Sequence, residues 1–520
     1  MTKSHDEEQP AMTSLSRRKV LATGAAGAVV AALPATAMAA VRRMELLDDF
    51  DAIGLARLVT TRQVSAAELL DLAVARVEET NPRFNFMAHK FYDRAKQAIA
   101  AGLPDGPFRG VPWLLKDLNT NLEGTPAGEG SRYYAGNISQ FTSELVRRHQ
   151  QAGLVIFGKT TSPEFGLTAT TESAATGITR NPWDPERIAG GSSGGSGAAV
   201  AAGVLPMAHA TDGGGSIRIP ASCCGLFGMK PSRGRVPMGP GLTEGWGGLS
   251  VHHAVTRSVR DSALLLDMTH GIEPGSRYSA PTPDGTFLSY LRKHPGQLRV
   301  ALALSPPAGT PVDPECVAAA RDAARLLQSL GHKVEEAAPK VDVAALGAAN
   351  FALLSTAMVA RIDARAKETG IAPSPDVLEP VPLMFYNIGK QTDGAAVARA
   401  HETFQRAAYA VGVFMEDYDI IVSPTLATPP PPVGRLGLSP ADFTAWGEEV
   451  SAFTPFTGLF NVTGQPSMSL PLALSAKGLP IGVQMTGRYG AEATLFSLAA
   501  QVEQAQPWWK SMTAPVRRQS

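Results

Sequence analysis

At 520 residues and 44% hydrophobic, the chain can bury at least one large core, and length alone suggests roughly two to four domains. Lysine plus arginine and aspartate plus glutamate both number 47. No net charge exists to recruit nucleic acid or an acidic membrane surface, which argues against a polyanion partner.

The first forty residues read as an address. "SRRKVL" places Arg17 and Arg18 before a small-residue apolar run over 20–33, and "ATAMAA" offers a cleavage site at Ala37-Met38-Ala39. The run is shorter than the ~20 residues that span a bilayer. The expectation is a twin-arginine signal over 1–39, removed to leave 40–520, and a folded, periplasmic or secreted product. No later segment reads as apolar for long enough to span a membrane, and stable membrane association is not expected.

Residues 41–100 read as an N-terminal helical layer, with Ser65 and Glu68 forming a capping box at the start of "SAAELLDLAVARVEE". From 108 to 275 the strand-like runs "VPWLLKDL", "GLVIFGK" and "VLPMAHAT" alternate with glycine-rich turns and helical stretches, an α/β pattern. A β-α-β unit follows: "LRVALAL", a helix capped by Asp313 with Pro314 first and Gly331 last, then "HKVEEA". Residues 345–415 are mostly helical, "PSPDVLEPVP" and "LATPPPPVGRLG" are proline-rich surface loops, and "YDIIVSPT", "PSMSLPLAL" and "PIGVQMTG" are late core strands. With no repeat and no clean linker, one large α/β domain is expected.

Three cysteines in an exported chain of this size make no disulfide framework, and Cys223, Cys224 and Cys316 are expected as buried free thiols. His252 and His253 point to opposite sides of a strand, and the ten histidines show no ligand spacing. No metal and no cofactor are expected.

Three stretches carry candidate chemistry. "GLVIFGKT", residues 153–160, fits G-x-x-x-x-G-K-[ST], but Leu154, Val155, Ile156 and Phe157 suit a buried strand rather than a phosphate loop. "AGGSSGGSG", residues 189–197, could be a linker, a phosphate cradle or the approach to a catalytic serine. Its G-x-S-x-G match centres on Ser192, yet the preceding "RNPWDPERIAGG" is no strand, as a nucleophile elbow requires. The apolar "GAAVAAGVLPMA" after it argues against a linker and for an ordered loop entering a tightly packed helix. "VLPMAHATDGGGSIRIPAS" runs from a strand into Gly213, Gly214, Gly215 and Ser216, so backbone N–H groups can converge on one point, as an oxyanion site requires. A glycine-rich turn with an incidental serine fits as well. Lys116, at the end of "VPWLLK", becomes a base if burial removes its proton, or is a strand-end lysine that snorkels to solvent.

Together these pieces resemble the amidase signature family, in which a bridging serine precedes the nucleophilic serine by a fixed step and an upstream lysine is the base. Ser192 precedes Ser216 by 24 residues, the family's step, whereas Ser193 would give 23. "SIRIPASCCGLFGMKPSRGRVP", "GKTTSPEFG", "TRNPW", "TRSVRD" and "FNVTGQPSMSLPLAL...GLPIGVQMTG" also look like family stretches. The resemblance implies Ser216 as nucleophile, Ser192 as proton shuttle and Lys116 as base. It implies an oxyanion hole from the N–H groups of Gly213, Gly214, Gly215 and Ser216, with Asp212, Arg218 and Ser193 in support. It implies a large mixed β-sheet core covered by helices on both sides, in one domain. Two departures stand out: Gly213 occupies a position where a larger residue is common, and Cys223 is an extra cysteine beside the usual Cys224.

Within the family, "GGSSGGSGAAVAAG", "SIRIPAS", "PGQLRVAL", "VDPECVAAAR" and the late "QPW" look like the 6-aminohexanoate-cyclic-dimer hydrolase branch. Residues 345–450 match least and are expected to supply the pocket walls, with Phe351, Met358, Phe385 and Trp446 as candidates. The expected activity is hydrolysis of a small-molecule carboxamide through an acyl-enzyme, by a monomer or homodimer. An esterase on the same triad and an inactive periplasmic binder are the competing readings.

Overall fold

The protein is described here by a computed structural model covering residues 45–509 and 511–518. The signal over 1–39 and its cleavage point lie outside the described residues. Helices Ala52–Thr60 (α1) and Ala66–Phe84 (α2) begin at their caps: Asp51 accepts the Gly54 N–H, and Ser65 and Glu68 form the expected reciprocal box. The N-terminal layer is not all helix, however. Asn85 turns left-handed at the end of α2, the Asn81 side chain takes the N–H groups of Phe86 and Met87, and strand Met87–Lys90 (β1) follows before helix Tyr92–Ala101 (α3). Local capping overrides the helical pattern there.

Strands Pro112–Lys116 (β2) and Val155–Thr160 (β3) flank helix Glu144–Gln151 (α4). With β1 they form a three-stranded sheet in the order β1-β3-β2. A short pair, Glu172–Ser173 (β4) and Gly177–Ile178 (β5), precedes the glycine-rich loop and helix Gly194–Ala201 (α5).

The main sheet uses Met207–Asp212 (β6), Phe227–Lys230 (β7), Val251–Thr256 (β8), Arg299–Leu302 (β9), Lys333–Glu336 (β10), Ile420–Pro424 (β11), Ser467–Leu474 (β12) and Pro480–Gly487 (β13). Its order is β10-β9-β11-β13-β12-β7-β8-β6, with β9 parallel to β10 and β11 and the other pairs antiparallel.

Helices Arg218–Cys224 (α6), Val259–Thr269 (α7), Pro314–Ser329 (α8), Val343–Thr369 (α9), Pro380–Gly389 (α10), Gly394–Asp417 (α11), Phe443–Phe453 (α12), Leu459–Thr463 (α13) and Glu492–Ala505 (α14) complete the frame. β9, α8 and β10 are the expected β-α-β unit, with Asp313 capping and Pro314 in the first turn.

Side-chain alternation along the strands shows why helices cover both faces. On β6, Ala208 and Ala210 pack with Ala198, Val200 and Ala221 from α5 and α6, while Met207 packs with Ala52, Leu55, Leu69 and Leu265 from α1, α2 and α7. The fold is a single α/β domain built on a large mixed sheet.

The reading that no later segment is apolar for long enough to span a membrane does not hold. Among the described residues, α9 is long and apolar enough to cross a membrane by length and composition. Part of that apolar surface is used inside the fold: Met358 and Ile362 are buried with Val381 and Phe385 of α10, and Leu353 with Ala400 and Phe404 of α11.

Candidate active site

The site forms where the two sheets approach each other. β2 carries Lys116 to its end, and β6 presents His209 and Thr211, two residues apart and therefore on one face. Lys116 is fully buried and does not snorkel. Its Nζ lies 2.7 Å from Ser192 Oγ and 2.7 Å from Thr211 Oγ1. Burial pulls its pKa well below the ordinary lysine value of 10.5, against the opposing charges of Asp212 and Glu129.

The backbone of Lys116 is held as firmly as its amine. Asp117 N–H donates to Thr160 O on β3 at 3.0 Å, whereas Lys116 N–H points the other way, to His209 Nδ1 at 3.2 Å. Accepting there fixes the His209 proton on Nε2, which meets His252 Nδ1 at 3.1 Å. Burial, with His252, His149 and Lys116 nearby, holds His209 well below the usual histidine range, and burial takes His252 to about 3. Both imidazoles are neutral. His253 points away to Ser262 Oγ at 2.8 Å, as the strand period requires.

"AGGSSGGSG" is an ordered, buried loop entering α5, with no strand before Ser192. A Cβ at Gly191 would come within 2.3 Å of the Thr170 carbonyl oxygen, so only glycine fits at the cis Gly191–Ser192 peptide. Ser193 ties the loop to β6: its Oγ donates to Thr211 O, and Thr211 N–H donates to that Oγ, each at 3.2 Å. Ser196 Oγ donates to His209 O at 2.6 Å.

β6 ends at Asp212, where the chain turns through the three glycines. Arg218 pairs with both Asp212 oxygens at 2.9 and 3.0 Å, also reaches Gln484 Oε1, Thr457 O and Asn461 Oδ1, and both members of the pair are fully buried. Burial pushes the Asp212 carboxyl up, but Arg218, with Lys230 and Asn461, pulls it down to about 2. Asp212 is thus a fixed anion that receives the N–H groups of Gly215 at 2.8 Å and Ile217 at 3.2 Å. This corrects the expected oxyanion set: the Gly215 N–H is turned inward to Asp212, which leaves Gly213, Gly214 and Ser216 as candidate donors.

Ser216, 8% exposed, lines a cavity of about 670 Å³ together with Gly213 and Gly214. Phe351, Phe385 and Trp446 line it as expected, and among the described residues no acidic, basic or histidine side chain does. Met358 does not line it. It lies on the same helix face as Phe351, but seven residues further along, about 10 Å at an α-helical rise, where α9 packs on α10. Ser192 is buried and does not line the cavity; it lies behind Gly166, a lining residue whose added Cβ would sit 3.1 Å from Ser192 Oγ.

The remaining motifs resolve as structure. Lys159 of "GLVIFGKT" is buried on β3 and donates to Thr120 O at 2.9 Å and Pro126 O at 2.7 Å, with Asp117 Oδ1 at 3.5 Å. The three cysteines are buried and free.

The comparisons with known proteins agree with this frame. A family model described as Amidase matches residues 68–496. The chain belongs to the amidase signature family. Among amidase signature relatives, a 6-aminohexanoate-cyclic-dimer hydrolase from Paenarthrobacter ureafaciens is 39% identical over 477 residues, covering 88% of this chain and 95% of that protein. A solved structure of 6-aminohexanoate cyclic dimer hydrolase complexed with substrate superposes with a TM-score of 0.86 at 36% identity, covering 90% and 99% of the two chains. A bacterial aryl acylamidase superposes with a TM-score of 0.80 at 27% identity, covering 90% and 98%. This amidase signature chain is an amide hydrolase.

Sequence reasoning alone does not find Thr211, His209, Asn461, Gln484 or Thr457. The strand period signals the first two, since both share a face of β6. The other three arrive from more than 230 residues away and carry no local signal.

Proposed function

We propose that the chain hydrolyses uncharged carboxamides through an acyl-enzyme on Ser216, with Ser192 passing the proton to a neutral Lys116. The Lys116 Nζ to Ser192 Oγ contact of 2.7 Å, in a fully buried setting that lowers the lysine pKa, carries this reading. Ser216 Oγ attacks the scissile carbonyl while its proton moves to Ser192 Oγ and the Ser192 proton moves to Lys116 Nζ. The N–H groups of Gly213, Gly214 and Ser216 receive the oxyanion. Collapse breaks the C–N bond, and the proton returns by the same relay to the leaving nitrogen. Water then attacks the ester while the relay takes its proton; the bond from the acyl carbon to Ser216 Oγ breaks, the relay returns the proton to Ser216 Oγ, and the acid is released.

The cavity wall supports an uncharged substrate, because a buried charge with no partner carries a large desolvation cost. Residues 345–450 supply much of that wall. The N-terminal arginine pair and the Ala37-Met38-Ala39 site support export to the periplasm or medium, which N-terminal sequencing of the exported enzyme checks.

A fluorophosphonate probe followed by peptide mapping tests the chemistry. The label is expected on Ser216, lost in Ser216→Ala, and slow in Ser192→Ala and Lys116→Ala. An adduct on Ser192 would overturn the assignment. Paired amide and ester substrates separate an amidase from an esterase on the same groups.

A further inference from the structure

Gly213 carries no side chain, and the structure shows what uses the space. A Cβ built on Gly213 would lie 2.8 Å from both Cε3 and Cζ3 of Trp246, nearer than such atoms can approach. The six-membered ring of the indole therefore rests on the first glycine of the loop that turns into Ser216. Gly213 has no left-handed φ, so its backbone would accept a side chain, and the indole is the obstacle. Trp246, Gly213, Gly214 and Ser216 all line the same cavity.

The loop bearing Trp246 is fixed in an uncommon shape. Trp246 has φ 53°, and Gly247 and Gly248 follow at 63° and 89°. A bulky aromatic at positive φ is a conformational outlier that persists only where its surroundings hold it, and such outliers gather at functional sites. Here Arg233 Nε donates to Gly248 O at 2.6 Å, while the far nitrogen of Arg233 donates to Asn461 O and Val462 O. Asn461 is the residue that also clamps Asp212. The loop carrying the indole and the loop carrying the nucleophile thus share one anchor. The indole also packs against the buried cluster that holds Leu249, Leu353 and Val462.

We propose that Trp246 is a specificity-determining residue: lying over Gly213, its indole makes a flat wall beside Ser216 that admits unbranched or planar apolar groups next to the scissile carbonyl and rejects branched ones. This rests on the assignment of Ser216 as nucleophile. A group attached to the carbonyl must leave Ser216 along the indole face, where a chain or a ring slides past and a quaternary carbon collides.

The test compares kcat/KM for hexananilide and 2,2-dimethylhexananilide, and in parallel the labelling rates of Ser216 by linear and branched alkyl fluorophosphonates. Trp246→Ala should move the branched-to-linear ratio toward the branched substrate by about tenfold or more, the scale on which pocket shape discriminates. Trp246→Phe should restore most of the original ratio. Gly213→Ala, which must displace the ring, should shift the ratio in the same direction, and should add no further shift in a Trp246→Ala background. A Trp246→Ala enzyme that labels at Ser216 with an unchanged ratio overturns the inference and leaves the hydrolase assignment standing. Full additivity of the two substitutions also overturns it, because it would show that they act independently. A wild-type enzyme whose Ser216 labels with none of the probes takes the assignment down, and this inference with it.

Discussion

The seam between the two sheets and the cavity wall meet at Ser216, and they are built on opposite terms. Along the seam, Lys116, Ser192, Ser193, Thr211, Asp212 and Arg218 are buried polar groups held by short, directed hydrogen bonds. In the wall, Phe351, Phe385 and Trp446 meet the cavity through apolar surface and ring contacts, such as the 5.0 Å between the Phe351 and Phe385 centroids. A buried polar group left without its partner carries its full desolvation cost, whereas an apolar wall changes only in area and shape. Substitutions in the seam should therefore abolish function or folding, and those in the wall should retune it.

The largest expected effect is on chemistry. Ser216→Ala should lower kcat by on the order of 10⁴-fold or more, and Ser192→Ala or Lys116→Ala by about 10²–10⁴-fold, measured on one amide at saturation. A tenfold loss for Lys116→Ala would break the comparison, since the seam would then tolerate what it is built to forbid. Next comes folding: Arg218→Met leaves the Asp212 carboxylate buried without its cation and should cost about 3–5 kcal/mol in denaturant unfolding.

The pH dependence sharpens the same point. Burial lowers the Lys116 pKa, so kcat/KM should rise as pH climbs through the lowered value and level off before 10.5. The unfolded chain keeps this lysine protonated up to 10.5 while the folded chain releases it earlier, so stability should rise with pH across that window. Lys116→Met should remove this slope and, below the window, unfold at a higher temperature than wild type while lacking activity.

The smallest effect belongs to the wall. Phe351 is 38% exposed, so Phe351→Ala should change stability by within about 0.5 kcal/mol and raise KM by no more than about tenfold, with kcat preserved.

Much of the seam is legible in sequence because its signals are local. A glycine run before Ser216 and a lysine closing an apolar strand are written in short stretches, and the 24-residue step between the serines takes its meaning from the family resemblance. The sheet and its β-α-β unit are legible for the same reason, since period-two runs, Asp313 and Gly331 announce their own elements. What completes the site is not local. Asn461 and Gln484 hold the Asp212–Arg218 pair from the far end of the chain, and Gly215 yields its N–H to Asp212 by a turn that composition does not encode. The wall is half legible: helical period places Phe351 and Met358 on one face, but only the packing of α10 decides where the cavity stops. The strand β1 inside an apparently helical region is a local contest, won by the Asn81 and Asn85 caps.

The imidazole beneath Lys116 reaches further than the reaction. β2 and β6 belong to different sheets, so the lysine amide meets a histidine ring where a ladder would supply a carbonyl. That amide proton is shielded only while both sheets are docked, and its exchange with deuterium reports their separation rather than the fraying of either one. The Lys116 amide is thereby a coincidence detector for the fold: a chain in which either sheet has formed alone has the residues of the site and none of its geometry.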